Sequence, residues 1–107
     1  IDWAGHANDS AYMRTEMLDF DKTIGIALDF AEKHGNTLVI VTADHETGGY
    51  TLSSGKNYDN IYPSFSTGGH SATLIPVFAY GPGSDNFGGI YENTGIFDRI
   101  IQSGFTD

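Results

Sequence analysis

The apolar run Thr37-Leu38-Val39-Ile40-Val41 constrains this chain more than any other stretch. It is short, β-branched and apolar on both faces. A strand of that kind needs cover on both sides, as in parallel sheets flanked by helices. A helical pattern precedes it, so the pair forms half of a βαβ unit and predicts an α/β fold with mainly parallel strands. The run then leads into "TADHETGG", Thr42 to Gly49. An acid and a histidine stand side by side there, and glycines follow. Consecutive side chains of a strand point to opposite faces. Asp44 and His45 can therefore face one point only where strand geometry stops, and Gly48 and Gly49 help make that departure possible.

The flanking segments carry their own signals. Residues 8–34 read as one long helix, with Met13, Met17, Phe20, Ile24, Ala27 or Leu28, and Ala31 forming an apolar stripe at spacings of three and four. Asn8, Asp9 and Ser10 each suit an N-cap. Gly35 suits the position just past the C-terminus, and a bend is expected near residues 19–21. "YTLSSG" and "NIYPSFS" predict a hairpin around Ser54-Gly55-Lys56. "TLIPVFAYG" predicts a second buried strand, with Pro76 at its start or on a free edge, because proline removes a ladder donor. "GPGSDNFGG" reads as a loop. "ENTGIFDRIIQSG" closes the pattern as a helix capped by Asn93 or Thr94, with Ile96, Ile100 and Ile101 inward and Gly104 ending it.

Composition decides which function classes survive. The chain has 107 residues, 39% hydrophobic and 18% charged, which suits one small globular domain or part of a larger one. It begins at Ile1 rather than Met, so a fragment of a longer protein is expected. A net charge of −9 leaves no basic stripe to neutralise phosphates, which argues against a nucleic-acid partner. The longest apolar run is far too short to span a bilayer, so no membrane partner is expected. An acidic chain can still act on an anionic substrate if metal ions occupy its carboxylates. Cysteine is absent, so any metal must be held by histidine and carboxylate.

Four histidines are present. His34, beside Gly35 in the last turn of the long helix, suits a cation at a helix C-terminus. His6 lies four residues after Asp2, at the helix entry. His45 adjoins Asp44, and His70 follows Gly68-Gly69 just before the second strand. Taken singly, these read as a cap, a turn and a loop. Taken together they differ, because ligands of open α/β sheets bind beyond the carboxyl ends of the strands. Asp44-His45 lies there, and Asp2 joins it if Ile1 ends a strand. Carboxylate oxygens and imidazole nitrogens without thiolate suit catalytic Zn²⁺.

"IDWAGHAND", "TLVIVTADHETGG", "GGHSATLIPVFAYGPGS" and the "YEN" before the last helix, in that order, resemble the C-terminal part of alkaline phosphatases. The resemblance runs from Ile1 to about Ile101. It implies that residues 1–107 are the C-terminal segment of such a domain, incomplete by itself, and form part of a three-layer αβα sandwich. It implies that Asp2, His6 and His70 bind one catalytic zinc, and Asp44 and His45 a second. In that family the two ions lie about 4 Å apart and serve hydrolysis of phosphate monoesters through a phosphoserine. The implied compartment is periplasmic or extracellular.

The departures from the family pattern are equally informative. The nucleophilic serine of these enzymes lies upstream in an Asp-Ser-Ala motif. Asp9-Ser10-Ala11 repeats those letters but falls three residues past His6, where a helix cap accounts for it. The phosphate-clamping arginine and the Mg²⁺ ligands are also missing; one magnesium-binding glutamate is expected just before Ile1. Arg14 and Arg99 match no clamp position and read as surface. Trp3 stands where some members carry lysine or histidine and reads as pocket wall. The chain alone is therefore expected to be inactive, and to self-associate into a homo-oligomer through exposed sheet edges. Two rivals remain: another member of the superfamily (phosphodiesterase, sulfatase or phosphomutase), or a non-catalytic metal-binding or interaction module.

Overall fold

The long helix forms as α2, Ser10–His34, after a short α1, Asp2–His6. These are seen in a computed structural model that describes residues 1–57 and 59–104. Of the three cap candidates, Asp9 does the capping: its carboxylate accepts the N–H groups of Ala11 and Tyr12, each at 3.0 Å. Gly35 ends the helix at φ +69°, where a side chain would be strained, and its N–H closes on the Ala31 carbonyl at 2.8 Å. His34 takes the helix-end place expected of it, with Nδ1 2.8 Å from the Phe30 carbonyl and its ring stacked on Phe30. Among the described residues no helix is long and apolar enough to cross a membrane.

The chain divides into two compact units. The first comprises Ile1–Asp21 and His45–Ile75. It holds α1, β2 (Glu46–Thr47) paired antiparallel with β5 (His70–Ser71), and the hairpin β3 (Thr51–Ser54) with β4 (Ile61–Ser64). The hairpin is the one predicted; Tyr58 lies outside the described residues. α1 packs directly on β2 because Gly5 has no side chain: a Cβ there would sit 2.7 Å from the Thr47 carbonyl oxygen. Ala4 and Met13 are the buried apolar residues of this unit.

The second unit comprises Lys22–Asp44 and the chain from Pro76 onward. β1 (Val39–Val41) pairs antiparallel with β6 (Phe78–Tyr80), Val39 opposite Tyr80 and Val41 opposite Phe78. Pro76 precedes β6, as a residue without a ladder donor should, and its carbonyl accepts the Thr42 hydroxyl at 3.3 Å. A 3₁₀ helix, Ser84–Phe87, and then α3, Gly95–Gln102, complete the unit. Both β6 and α3 pack on the 3₁₀ helix. Phe87 and Ala31 are its buried apolar residues.

Five expectations need correction. The expected parallel pairing of β1 is replaced by an antiparallel one. Parallel neighbours need a crossover, usually a helix; between β1 and β6 the described residues form short strands and no helix. The two strands are not buried on both faces either: β1 is half-buried and Phe78 is 64% exposed, since a two-stranded ladder cannot cover both its own faces. The glycine-rich segment after β6 contains the 3₁₀ helix rather than loop alone. In α3, Ile96 and Ile100 are half-buried but Ile101 is exposed. Arg14 is exposed as expected. Arg99 is not a free surface cation, because its guanidinium lies 3.4 Å from the Tyr91 ring centroid and donates to the Gly95 carbonyl.

Candidate metal centre

One donor atom each from Asp2, His6 and His70 lie within 4.8 Å of one another, at an exposed place in the first unit. Asp2 and His6 reach it because they sit four apart on α1, hence on one helix face. His70 reaches it from the start of β5. Tetrahedral zinc with bonds near 2.0–2.1 Å wants donors roughly 3.3 Å apart, so small side-chain rotations would close the triad on an ion.

Two of these side chains, His6 and Asp2, are already aimed by hydrogen bonds. His6 Nδ1 lies 2.8 Å from the Gly68 carbonyl, which can only accept, so Nδ1 carries the proton and donates. Nε2 then faces Asp2 Oδ1 at 3.6 Å. That facing pair suits a positive centre, either a proton on Nε2 or a metal ion between the two atoms. A hydrogen bond from a metal-binding imidazole to a backbone carbonyl is also the usual way of fixing its tautomer. The donor set is therefore compatible with a hard or borderline divalent cation, with no thiolate to close the site.

His45 stands against the triad. Its ring stacks on that of His70 at 3.6 Å between centroids and 22° between planes, and His70 lies 5.2 Å from His6. Asp44 and His45 fall between β1 and β2 and belong to neither strand, which is where the sequence argument required them. Asp44 belongs to the second unit, where it lines a hollow with Thr42, Ala43, Asn93, Thr94 and Ile96. Trp3 is 76% exposed, and its ring meets that of His6 edge-on, 6.5 Å between centroids.

Two residues of this region were missed by sequence reasoning. Thr47 is 8% exposed, and its hydroxyl donates to Asp2 Oδ1 at 2.6 Å. The hydroxyl has one proton, so at its 3.3 Å contact with His45 Nδ1 the oxygen accepts. Nδ1 of His45 then carries the hydrogen. The Thr47 hydrogen bond is the main reason the Asp2 carboxyl is held below its usual range; the charges of His6, His45 and His70 add to it, against a smaller opposing effect of burial. The signal for Thr47 was available: residues 45 and 47 share a side wherever the chain is extended.

The second missed residue is Glu46. Its carboxylate accepts the N–H groups of Gly49 at 3.0 Å and Tyr50 at 3.2 Å, and the Ser71 hydroxyl. Burial pushes its carboxyl up, but these hydrogen bonds outweigh it and hold the group below the usual carboxylate range. The turn it closes needs its glycines: Gly48 and Gly49 have φ of +92° and +58°. Gly48 also exchanges backbone hydrogen bonds with the neighbouring loop, donating to Gly69 and accepting from Ser66 and Thr67.

Known proteins resemble this chain closely. The family model for alkaline phosphatase matches residues 1–66, a span that takes in Asp2, His6, Asp44 and His45 and stops before His70. Alkaline phosphatase 3 of Bacillus subtilis is 27% identical, aligned over 96% of this chain and 38% of its own length. Streptomycin-6-phosphate phosphatase of Streptomyces griseus is 32% identical over 96% of this chain and 27% of its own length. The solved alkaline phosphatase of the Antarctic bacterium TAB5 is 64% identical and superposes with a TM-score of 0.90, over 95% of this chain and 32% of that chain. A variant of that phosphatase, with Mg bound in its M3 site, also superposes at 0.90. The chain thus spans well under half the length of these relatives. Its fold is α/β, that of part of an alkaline phosphatase. The chain belongs to the alkaline phosphatase family.

Proposed function

We propose that residues 1–107 are the C-terminal, metal-binding segment of an enzyme that hydrolyses phosphate monoesters through a phosphoserine. The convergence of Asp2, His6 and His70 donors within 4.8 Å carries this reading. Asp2, His6 and His70 hold one zinc; Asp44 and His45 contribute to a second. Thr47 and the Gly68 carbonyl keep Asp2 and His6 aimed. Zinc bound there supplies Lewis-acid stabilisation of the oxygens that gain charge at phosphorus. The serine nucleophile and the Mg²⁺ ligands belong to residues preceding Ile1, and the compartment is periplasmic or extracellular. Relatives named as phosphatases, one of them for streptomycin-6-phosphate, support the substrate class.

Zinc titration by calorimetry tests the metal reading. The chain binds zinc, and His6→Ala or His70→Ala weakens binding by about 100-fold or more, beyond the loss expected for an outer-shell change. Unchanged binding in both variants would sink it. On a chromogenic phosphate monoester with zinc added, the chain shows no turnover; turnover abolished by Ser10→Ala would make Ser10 the nucleophile and overturn the upstream assignment. The chain also self-associates through the edges of the β1–β6 ladder, where Phe78 and Tyr80 are exposed. Light scattering that shows only monomer at high concentration would refute that.

A further inference from the structure

Glu46 has no place among the metal ligands, yet its carboxylate accepts three hydrogen bonds beside them. The β2–β5 ladder has only two residue pairs, Glu46 opposite Ser71 and Thr47 opposite His70. A ladder that short does not hold itself in water. It nevertheless fixes the relation between His45 and His70, because each histidine directly precedes one member of the Glu46–Ser71 pair. Backbone bonds from Gly48 to Gly69, Ser66 and Thr67 support the Thr47–His70 end; at the Glu46–Ser71 end a side-chain bond adds to the ladder.

We propose that Glu46 is a positioning residue: its carboxylate ties β2 to β5 through Ser71 and to the turn through Gly49 and Tyr50, and so keeps the His45 and His70 rings face to face. An ionised carboxylate suits the task because it accepts several hydrogen bonds at once, and charge-assisted bonds are the strong ones. Backbone bonds alone keep the turn in place: Gly48 is held to Gly69, Ser66 and Thr67 whether or not Glu46 is present. The contact that depends on Glu46 alone is the one across the ladder, to the residue after His70. A cap of the turn would need only the Gly49 and Tyr50 bonds. The Ser71 bond is what links the two histidines.

Glu46→Ala, Glu46→Gln and Ser71→Ala test this on the whole chain. The histidine Cε1–H resonances are read first, without metal. Stacked rings shift each other's signals, so in Glu46→Ala and Ser71→Ala those of His45 and His70 move while that of His34, stacked on Phe30, stays. One carboxylate oxygen accepts both Ser71 and the Gly49 N–H, and the other accepts the Tyr50 N–H; Gln keeps an oxygen for Ser71 and Gly49 and loses only the Tyr50 bond, so Glu46→Gln stays nearer the parent than Glu46→Ala. Cobalt(II) titration is read second; both alanine variants bind about tenfold more weakly, as outer-shell changes do, and the visible cobalt bands change shape. That second consequence rests on the metal reading above, whereas the ring geometry does not. A chain that binds no cobalt at all refutes the metal reading, and the resonances still decide the proposal. Unmoved His45 and His70 signals in both alanine variants overturn it. So does a Ser71→Ala chain in which all four histidines shift together with loss of amide dispersion, since that marks a general folding role.

Discussion

Around Thr47 the chain is held by glycine turns and side-chain hydrogen bonds; around Phe87 a buried aromatic ring adds apolar contact to such bonds. In the first unit Thr47, Glu46, Ser71 and the Gly68 carbonyl each fix the direction of a particular side chain. In the second unit side-chain hydrogen bonds join the 3₁₀ helix to α3, from Asn86 to Ser103 and from Ser103 to the Gly83 carbonyl, around an apolar centre: Phe87, 4% exposed, lies on the 3₁₀ helix, against which β6 and α3 pack. Hydrogen bonds are directional and act over one contact, so they give placement. Apolar burial is non-directional and scales with area, so it gives stability. The unit with the ligand triad is built for placement. The unit with the apolar strand pair leaves Phe78 and Phe97 exposed.

The largest effect should therefore come from the second unit. Phe87→Ala is expected to cost about 3–5 kcal/mol, the range for emptying a buried aromatic site. Phe97→Ala, at 67% exposure, should stay within about 0.5 kcal/mol. Urea unfolding of the two variants makes the measurement, and equal midpoints would erase the contrast between buried and exposed apolar side chains. Next comes Gly49→Ala in the first unit. The residue has φ +58°, and an added Cβ would fall 1.8 Å from Ser66 Oγ. A left-handed non-glycine residue costs about 1–2 kcal/mol before any clash is counted. Amide exchange should quicken in residues 46–50 and not in α3; uniform quickening would mean the turn is not a local device.

A smaller effect, on placement rather than stability, is expected at Thr47→Val. Valine keeps the shape and loses the proton given to Asp2 and the oxygen that faces His45. Zinc affinity should fall about tenfold, as for other outer-shell partners. An unchanged zinc affinity would mean that Asp2 and His45 are oriented by other contacts.

How much of this was legible beforehand follows the same division. Local signals read correctly: the extent of α2, the Gly35 stop, the hairpin at Thr51–Ser64 and the place of Pro76 all depend on neighbours a few residues away. The direction of the β1–β6 pairing did not read, because it is set by the path of the whole segment between Val41 and Phe78. Burial of β1 did not read either, since an apolar strand states a need for cover without stating what supplies it. Asp2, His6, His45 and His70 could be picked out by chemistry. Thr47 and Glu46 were passed over because a polar residue in a short strand looks like surface until its partner across the ladder is known. Arg99 was misread for a like reason: the ring beneath it, Tyr91, sits eight residues back, beyond the helix that carries the arginine.

The smallest effect separates a cap from a nucleophile at the entry to α2. Asp9 Oδ1 takes both the Ala11 and Tyr12 N–H groups, two of the donors that a helix start leaves without partners. Asp9→Ala should cost about 1 kcal/mol. Asp9→Asn keeps the accepting oxygen and loses only the charge near the helix N-terminus, about 0.3–1 kcal/mol at low salt. Raising the salt should therefore shrink the gap between Asp and Asn while leaving the Ala penalty largely in place. Ser10→Ala should be near neutral, because alanine is the best helix former and the capping oxygen belongs to Asp9. Helicity and urea midpoints of the three variants give the answer. If Ser10→Ala costs as much as Asp9→Ala, then the hydroxyl shares the capping, and the local account of "DSA" as Asp9's cap followed by the first turn of a helix is wrong.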